Sequence, residues 1–150
     1  MASILICFAS MSGNTEDIAD LLESHLSAEH EVTLEEIDDV EPSDLTDYDA
    51  VLIGSYTWND GDLPYEVEDF YDDLEEEDLS GLPVAVFGSG DSIYPMYCEA
   101  VHTLEKRVKE CGAELVCEGL KIEMNPDTEE DLASCRAFAA AVSDHLKVSI

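Results

Sequence analysis

Three stretches of this chain carry apolar residues without a polar break: Ile4-Leu5-Ile6-Cys7-Phe8-Ala9, Ala50-Val51-Leu52-Ile53 and Pro83-Val84-Ala85-Val86-Phe87. A strand wetted on one side would alternate apolar and polar residues, so unbroken runs predict strands covered on both faces, as parallel strands are. Between the runs the spacing becomes helical. Ile18, Leu21, Leu22 and Leu26 fall on one stripe, as do Val67, Phe70, Tyr71 and Leu74, and again Val101, Leu104, Val108 and Cys111, with Gly112 as a stop. Val32 to Ile37 reads as a weaker strand with one wetter face, an edge position, and Glu114 to Ile122 as a fifth strand. Thr128 and Asp131 resemble a capping box opening a last helix, whose buried line is Leu132, Cys135, Ala139, Val142 and Leu146. Strands and helices alternate throughout, which predicts an α/β fold: a doubly wound, five-stranded parallel sheet with helices on both faces.

The 150 residues suit a single domain spanning 1–150. A formal charge of -31 would suggest a disordered polyanion, but 45% of the residues are hydrophobic, enough to build a core with the acid outside. Between Asp60 and Asp78, eleven of nineteen residues are Asp or Glu, which reads as a solvated helix face from Glu66 to Asp78. That field repels nucleic acid and anionic lipid headgroups and attracts basic proteins. So much acid with so few Lys also fits a protein working in high salt, where screening shortens the reach of self-repulsion. Cys7, Cys98, Cys111, Cys117 and Cys135 form no Cys-x-x-Cys pair and no zinc spacing with His, so reduced core thiols are expected. No basic region precedes the first apolar run and no stretch approaches a membrane span, so a cytoplasmic protein is expected.

Between the first apolar run and the first helical stripe lies Ser10-Met11-Ser12-Gly13-Asn14-Thr15. A hydroxyl-rich turn feeding a helix N-terminus is suited to hold phosphate, because unpaired N–H groups and the positive end of the helix dipole face outward there. No Lys or Arg occurs before Lys106, so neutral donors must form the nest. Asn14 rather than Lys follows Gly13, which excludes a nucleotide-hydrolysing P-loop. Taken alone, the string also fits a plain turn with a helix cap at Ser12 or Asn14.

In an open α/β sheet, ligands bind beyond the carboxyl ends of the strands, where the strand order reverses. After the third strand comes Ser55-Tyr56-Thr57-Trp58-Asn59-Asp60-Gly61-Asp62, with the chain's one Trp; after the fourth comes a Gly-rich loop, 88–98, with Tyr94 and Tyr97. Each aromatic could instead cap a core rim or sit at an interface. Together the three loops describe a flat ring between aromatic faces with a phosphate tail at the first helix.

The strings Ser10-x-Ser12-Gly13-Asn14-Thr15, Thr57-Trp58-x-Asp60 and Gly88-x-Gly90-Asp91-x-x-Tyr94 make the chain resemble, from Ile4 through Ala141, the short-chain flavodoxins, small FMN-binding electron carriers. The strand order 2-1-3-4-5 is implied by that resemblance, flavodoxin being a standing example of it. The resemblance implies that Ser10, Met11, Ser12, Gly13, Asn14 and Thr15 hold the FMN phosphate, with Asn14 also reaching the ribityl chain. Trp58 would cover the inner flavin face and Tyr94 the outer one. Backbone groups of Ser89, Gly90, Asp91 and Cys98 would meet the pyrimidine edge, with Tyr56, Thr57, Asn59, Asp60 and Tyr97 completing the cofactor-binding positions. Many members have Gly where Asn59 stands, and the peptide after it is thought to flip on reduction. Asn tolerates positive φ less readily than Gly, so Asn59→Gly should stabilise the one-electron-reduced flavin, read as its yield on titration.

The implied function is a low-potential one-electron carrier between a reductase and acceptor enzymes, monomeric, without a metal, docking basic redox partner proteins at its acidic face and binding neither nucleic acid nor membrane. It would not be an enzyme. A response-regulator receiver fails, because Ala9-Ser10 and Gly54-Ser55 stand where that function needs acidic residues. A small quinone-type flavin reductase and a ribonucleotide-reductase-activating flavoprotein are the alternatives. His25, His30, His102 and His145 lie outside the three loops, and surface roles are expected for all four.

Overall fold

The computed structural model describes residues 2–9, 13–56, 63–90, 99–123, 126 and 128–149. The three apolar runs form the middle of one parallel sheet, as β1 (Ser3–Phe8), β3 (Ala50–Tyr56) and β4 (Pro83–Gly90). The edges are β2 (Glu31–Glu36) on one side and β5 (Glu114–Leu115) and β6 (Leu120–Glu123) on the other, both of which pair with β4. The order is β2-β1-β3-β4-β5, that of the flavodoxin-like fold.

The period-two geometry of a strand divides each central run between two faces. Ile4, Ile6 and Phe8 of β1 join Leu52 and Phe87 beneath α1 (Asn14–Leu26) and α4 (Glu129–Ser149), whose contributions are Ile18, Leu22 and Leu26 and Cys135, Ala139 and Val142. Leu5, Cys7 and Ala9 join Val51, Ile53 and Val86 beneath α2 (Tyr65–Leu74) and α3 (Glu99–Glu110), which bury Val67, Phe70 and Leu74 and Val101, Leu104 and Val108. Each fully buried Leu or Ile contributes about 1.5–3 kcal/mol, so neither layer of helices can leave without unfolding the sheet. Phe87 meets Phe138 edge to face at 6.3 Å, and its ring lies over Gly54, where a Cβ would collide with it. Burial raises the Cys7 thiol to about 12, and burial with Asp131 nearby raises Cys135 to about 11, so both behave as inert core residues.

Four expectations change. The fifth strand is broken: β5 and β6 flank residues 116–119, where Gly119 packs against Val101 and Glu105 too closely for any side chain. The acidic helix stops at Leu74, short of Asp78, because Glu75, Glu76, Glu77 and Asp78 would place four negative charges at the negative end of its dipole. Arg107 of α3 lies 3.8 Å from Glu75 and stacks 4.0 Å over the Tyr71 ring. His30 is buried rather than superficial, because β2 starts at the next residue and the ring is drawn between Ala2 and Ser143. Finally, Asn14 is the first helical residue of α1 rather than its cap, which is Gly13; Ser12 lies outside the described residues. The box at the last helix holds in part: the Asp131 N–H donates to Thr128 Oγ1 at 3.0 Å. Among the described residues, no helix is long and apolar enough to cross a membrane.

Candidate functional site

Helix α1 starts just beyond the carboxyl end of β1. Its cap, Gly13, has φ 88° and ψ -4°, the left-handed region that costs an L side chain about 1–2 kcal/mol and glycine almost nothing. Gly13 brings no side chain to cap the first turn, and the first internal bond runs from the Asp17 N–H to the Gly13 carbonyl at 2.9 Å. The geometry of a helix therefore leaves the N–H groups of Asn14, Thr15 and Glu16 without an intrahelical acceptor.

The strand ends come together beside this turn. The Ala9 N–H donates to the Gly54 carbonyl at 2.9 Å, which extends β1 along β3, and Tyr56 at the end of β3 stands opposite Ser89 in β4. The hydroxyls of Thr15 and Ser89, both buried, lie 2.7 Å apart, so the helix turn is tied directly to the end of β4. On the other side of the sheet the Tyr56 hydroxyl donates to Glu66 Oε1 at 3.2 Å, joining β3 to the first turn of α2. Burial, and then the negative charge and hydrogen bond of Glu66, raise the Tyr56 phenol to about 12. Thr15, Tyr56 and Ser89, drawn from three separate segments, thus share one end of the sheet.

Unpaired backbone N–H groups, a helix dipole and buried hydroxyls suit a phosphate ester that must be held without a cation. A cleft of about 410 Å³ elsewhere on the surface does not suit one. It lies between α2 and the turns 37–43 and is rimmed by Asp38, Glu41, Glu66, Asp69 and Asp73, which would repel an anion. The strand ends suit a phosphate ester better than this cleft does.

The family model for flavodoxins matches residues 6–138. The probable flavodoxin 1 of Bacillus subtilis (strain 168) is 54% identical over 141 residues, covering 93% of this chain and 89% of that one. The chain belongs to the flavodoxin family. Among solved structures, the oxidised flavodoxin 2 from Bacillus cereus superposes with a TM-score of 0.93 at 56% identity, over 96% of this chain and 99% of that one. A short-chain flavodoxin associated with a bacterial microcompartment also gives 0.93, at 32% identity, over 97% and 99% of the two chains. The close match in length places this flavodoxin in the short-chain group.

Of the cofactor positions expected from sequence, Gly13, Asn14, Thr15, Tyr56, Ser89 and Gly90 are described and stand at the carboxyl end of the sheet. Ser10, Met11, Ser12, Thr57, Trp58, Asn59, Asp60, Asp91, Tyr94, Tyr97 and Cys98 lie outside the described residues. Two partnerships had no sequence signal. Nothing in the spacing pairs Thr15 with Ser89, or gives Glu66 a place at the end of β3 as well as on the acidic face.

Proposed function

We propose that this flavodoxin is a low-potential one-electron shuttle between a reductase and its acceptor enzymes, with FMN bound non-covalently across the carboxyl ends of β1, β3 and β4. Flavodoxins bind FMN and carry electrons between redox partner proteins; they are not enzymes. The observation that carries the reading here is the meeting of Thr15, Tyr56 and Ser89 beside a helix turn with unpaired N–H groups. FMN supplies the one-electron chemistry, and the protein supplies binding, orientation and electrostatics. In this reading the turn 10–15 holds the phosphate on neutral donors, Trp58 and Tyr94 cover the ring faces, and backbone groups of Ser89, Gly90, Asp91 and Cys98 meet the polar edge of the ring. Tyr56, Thr57, Asn59, Asp60 and Tyr97 shape the rest of the pocket.

The charge supports a low potential. Asp60, Asp62 and Asp91 share these loops with no Lys or Arg, in a chain of net charge -31, so added negative charge on the cofactor is disfavoured. Glu68, Asp69, Asp72 and Asp73, all exposed on α2, extend the acidic face and would steer it toward basic patches on partners. We take the protein to be a single domain and a monomer, at work in the cytoplasm, and tuned to high ionic strength. Circular dichroism across a salt series tests the last point: lost structure in dilute buffer is expected, and unchanged stability would count against it.

The decisive experiment is a visible spectrum with a dithionite titration. Bound flavin, released on denaturation as FMN and reduced in two separate one-electron stages, is expected. A colourless protein that refuses FMN even in concentrated salt would overturn the reading, and rapid NAD(P)H-dependent turnover of quinones would favour the reductase instead.

A further inference from the structure

We infer that Ser89 is a positioning residue for the phosphate: its hydroxyl donates to Thr15 Oγ1 and so leaves the Thr15 proton free for the anion. The inference rests on the FMN reading above. The two hydroxyls are 2.7 Å apart and buried, Thr15 fully and Ser89 to within 3%. Between them they bring two protons and make one hydrogen bond. Among the described residues neither hydroxyl has another partner, so one O–H donor is left over in a buried place. Buried donors without an acceptor are destabilising and uncommon in native proteins, and a leftover one points to a ligand that accepts it.

The location decides which proton is left over. Thr15 is the second residue of α1, in the turn whose N–H groups at Asn14, Thr15 and Glu16 lack intrahelical acceptors. An anion at that turn accepts from Thr15, and the bond to Ser89 must then run from Ser89 to Thr15. Each bond in such a chain polarises the next, so Ser89 strengthens the grip without touching the phosphate. In a site with no Lys or Arg from its own half of the chain, this is one way to gain donor strength without charge.

The test compares FMN with riboflavin, which has the same ring and no phosphate, by fluorescence titration of the apoprotein. Thr15→Val removes the donor to the anion and should lower FMN affinity relative to riboflavin by about tenfold, the weight of one hydrogen bond to a charged group, whereas Ser89→Ala removes only its polarisation and should lower that ratio by about twofold. Thr15→Ser should restore the preference for FMN, and the double variant Thr15→Val/Ser89→Ala should be no worse than Thr15→Val alone. Equal weakening of both flavins by Ser89→Ala would make the hydroxyl pair a simple brace, and an unaltered preference would remove its role; either overturns the inference. A wild-type protein that binds neither flavin would instead sink the FMN reading itself.

Discussion

The two ends of the sheet treat their polar groups in opposite ways. At the amino end the Ala2 N–H donates to His30 Nδ1 at 3.3 Å, which places the ring proton on Nε2, facing Ser143 Oγ at 3.0 Å; Ser143 in turn donates to Glu29 at 2.9 Å. Beside this chain, the Ser3 N–H donates to Asp49 Oδ2 at 2.8 Å, and the Asp49 N–H donates to the Ser3 carbonyl at 2.9 Å. Each of these donors has an acceptor and each bond has a direction. At the carboxyl end, three N–H groups of α1 have no intrahelical acceptor and two hydroxyls share one bond. Among the described residues, the same parallel sheet therefore closes its hydrogen bonding at the amino end and leaves donors over at the end where we propose that FMN binds. An open end costs stability in the apoprotein, and a bound ligand recovers it by mass action.

The largest effect should follow from breaking the closed end. His30→Ala strands the Ala2 N–H and removes a partner from the Ser143 hydroxyl, two buried groups at about 1–3 kcal/mol each, so a loss of about 3 kcal/mol is expected. Urea unfolding of the apoprotein measures it. Flavin affinity should not move, and a matching fall in affinity would show that the two ends are not independent. Gly13→Ala should give the reverse pattern. A Cβ there meets nothing within 4 Å, so only the left-handed backbone is penalised, by about 1–2 kcal/mol. FMN affinity should fall with it, because relief of the strain turns the first N–H groups away from the phosphate. Unchanged FMN binding in a Gly13→Ala protein would mean that the cap geometry is not part of the site.

The closed end was the less legible of the two in the sequence. Apolar runs and helical stripes disclose the layers, because burial on two faces or one leaves a period that can be read directly, and Ile6, Ile53 and Val86 lie where their runs place them. The turn at Gly13 could be placed because a Gly between an apolar run and a helical stripe marks where the backbone changes from strand to helix. His30 could not, since a lone His before an edge strand carries no mark of the Ser143 that meets it from α4, 113 positions later. The pairing of Thr15 with Ser89, 74 positions apart, was hidden for the same reason: local patterns record burial and backbone shape, not which hydroxyl faces which. The interrupted last strand was misread because the break depends on Gly119 packing against Val101, a contact made only in the folded sheet.

The smallest effect sharpens the comparison at the open end, where Tyr56 is tied to Glu66 while the Thr15 and Ser89 hydroxyls share one bond. The phenol is raised from 10.0 to about 12, first by burial and then by Glu66, so the folded state holds this proton more tightly than the unfolded chain does. Its contribution is complete below pH 10 and is lost as the pH rises through 12. Cys7, raised from 9.0 to about 12, acts in the same direction over an overlapping window, so the informative quantity is a difference between two proteins. Tyr56→Phe should lose little stability at neutral pH, about 0.5–1.5 kcal/mol for one hydrogen bond, and should fall less steeply than the wild type between pH 10 and 12. Chemical denaturation at intervals across that range measures both slopes. Curves of equal slope would mean that the phenol meets Glu66 only weakly in solution.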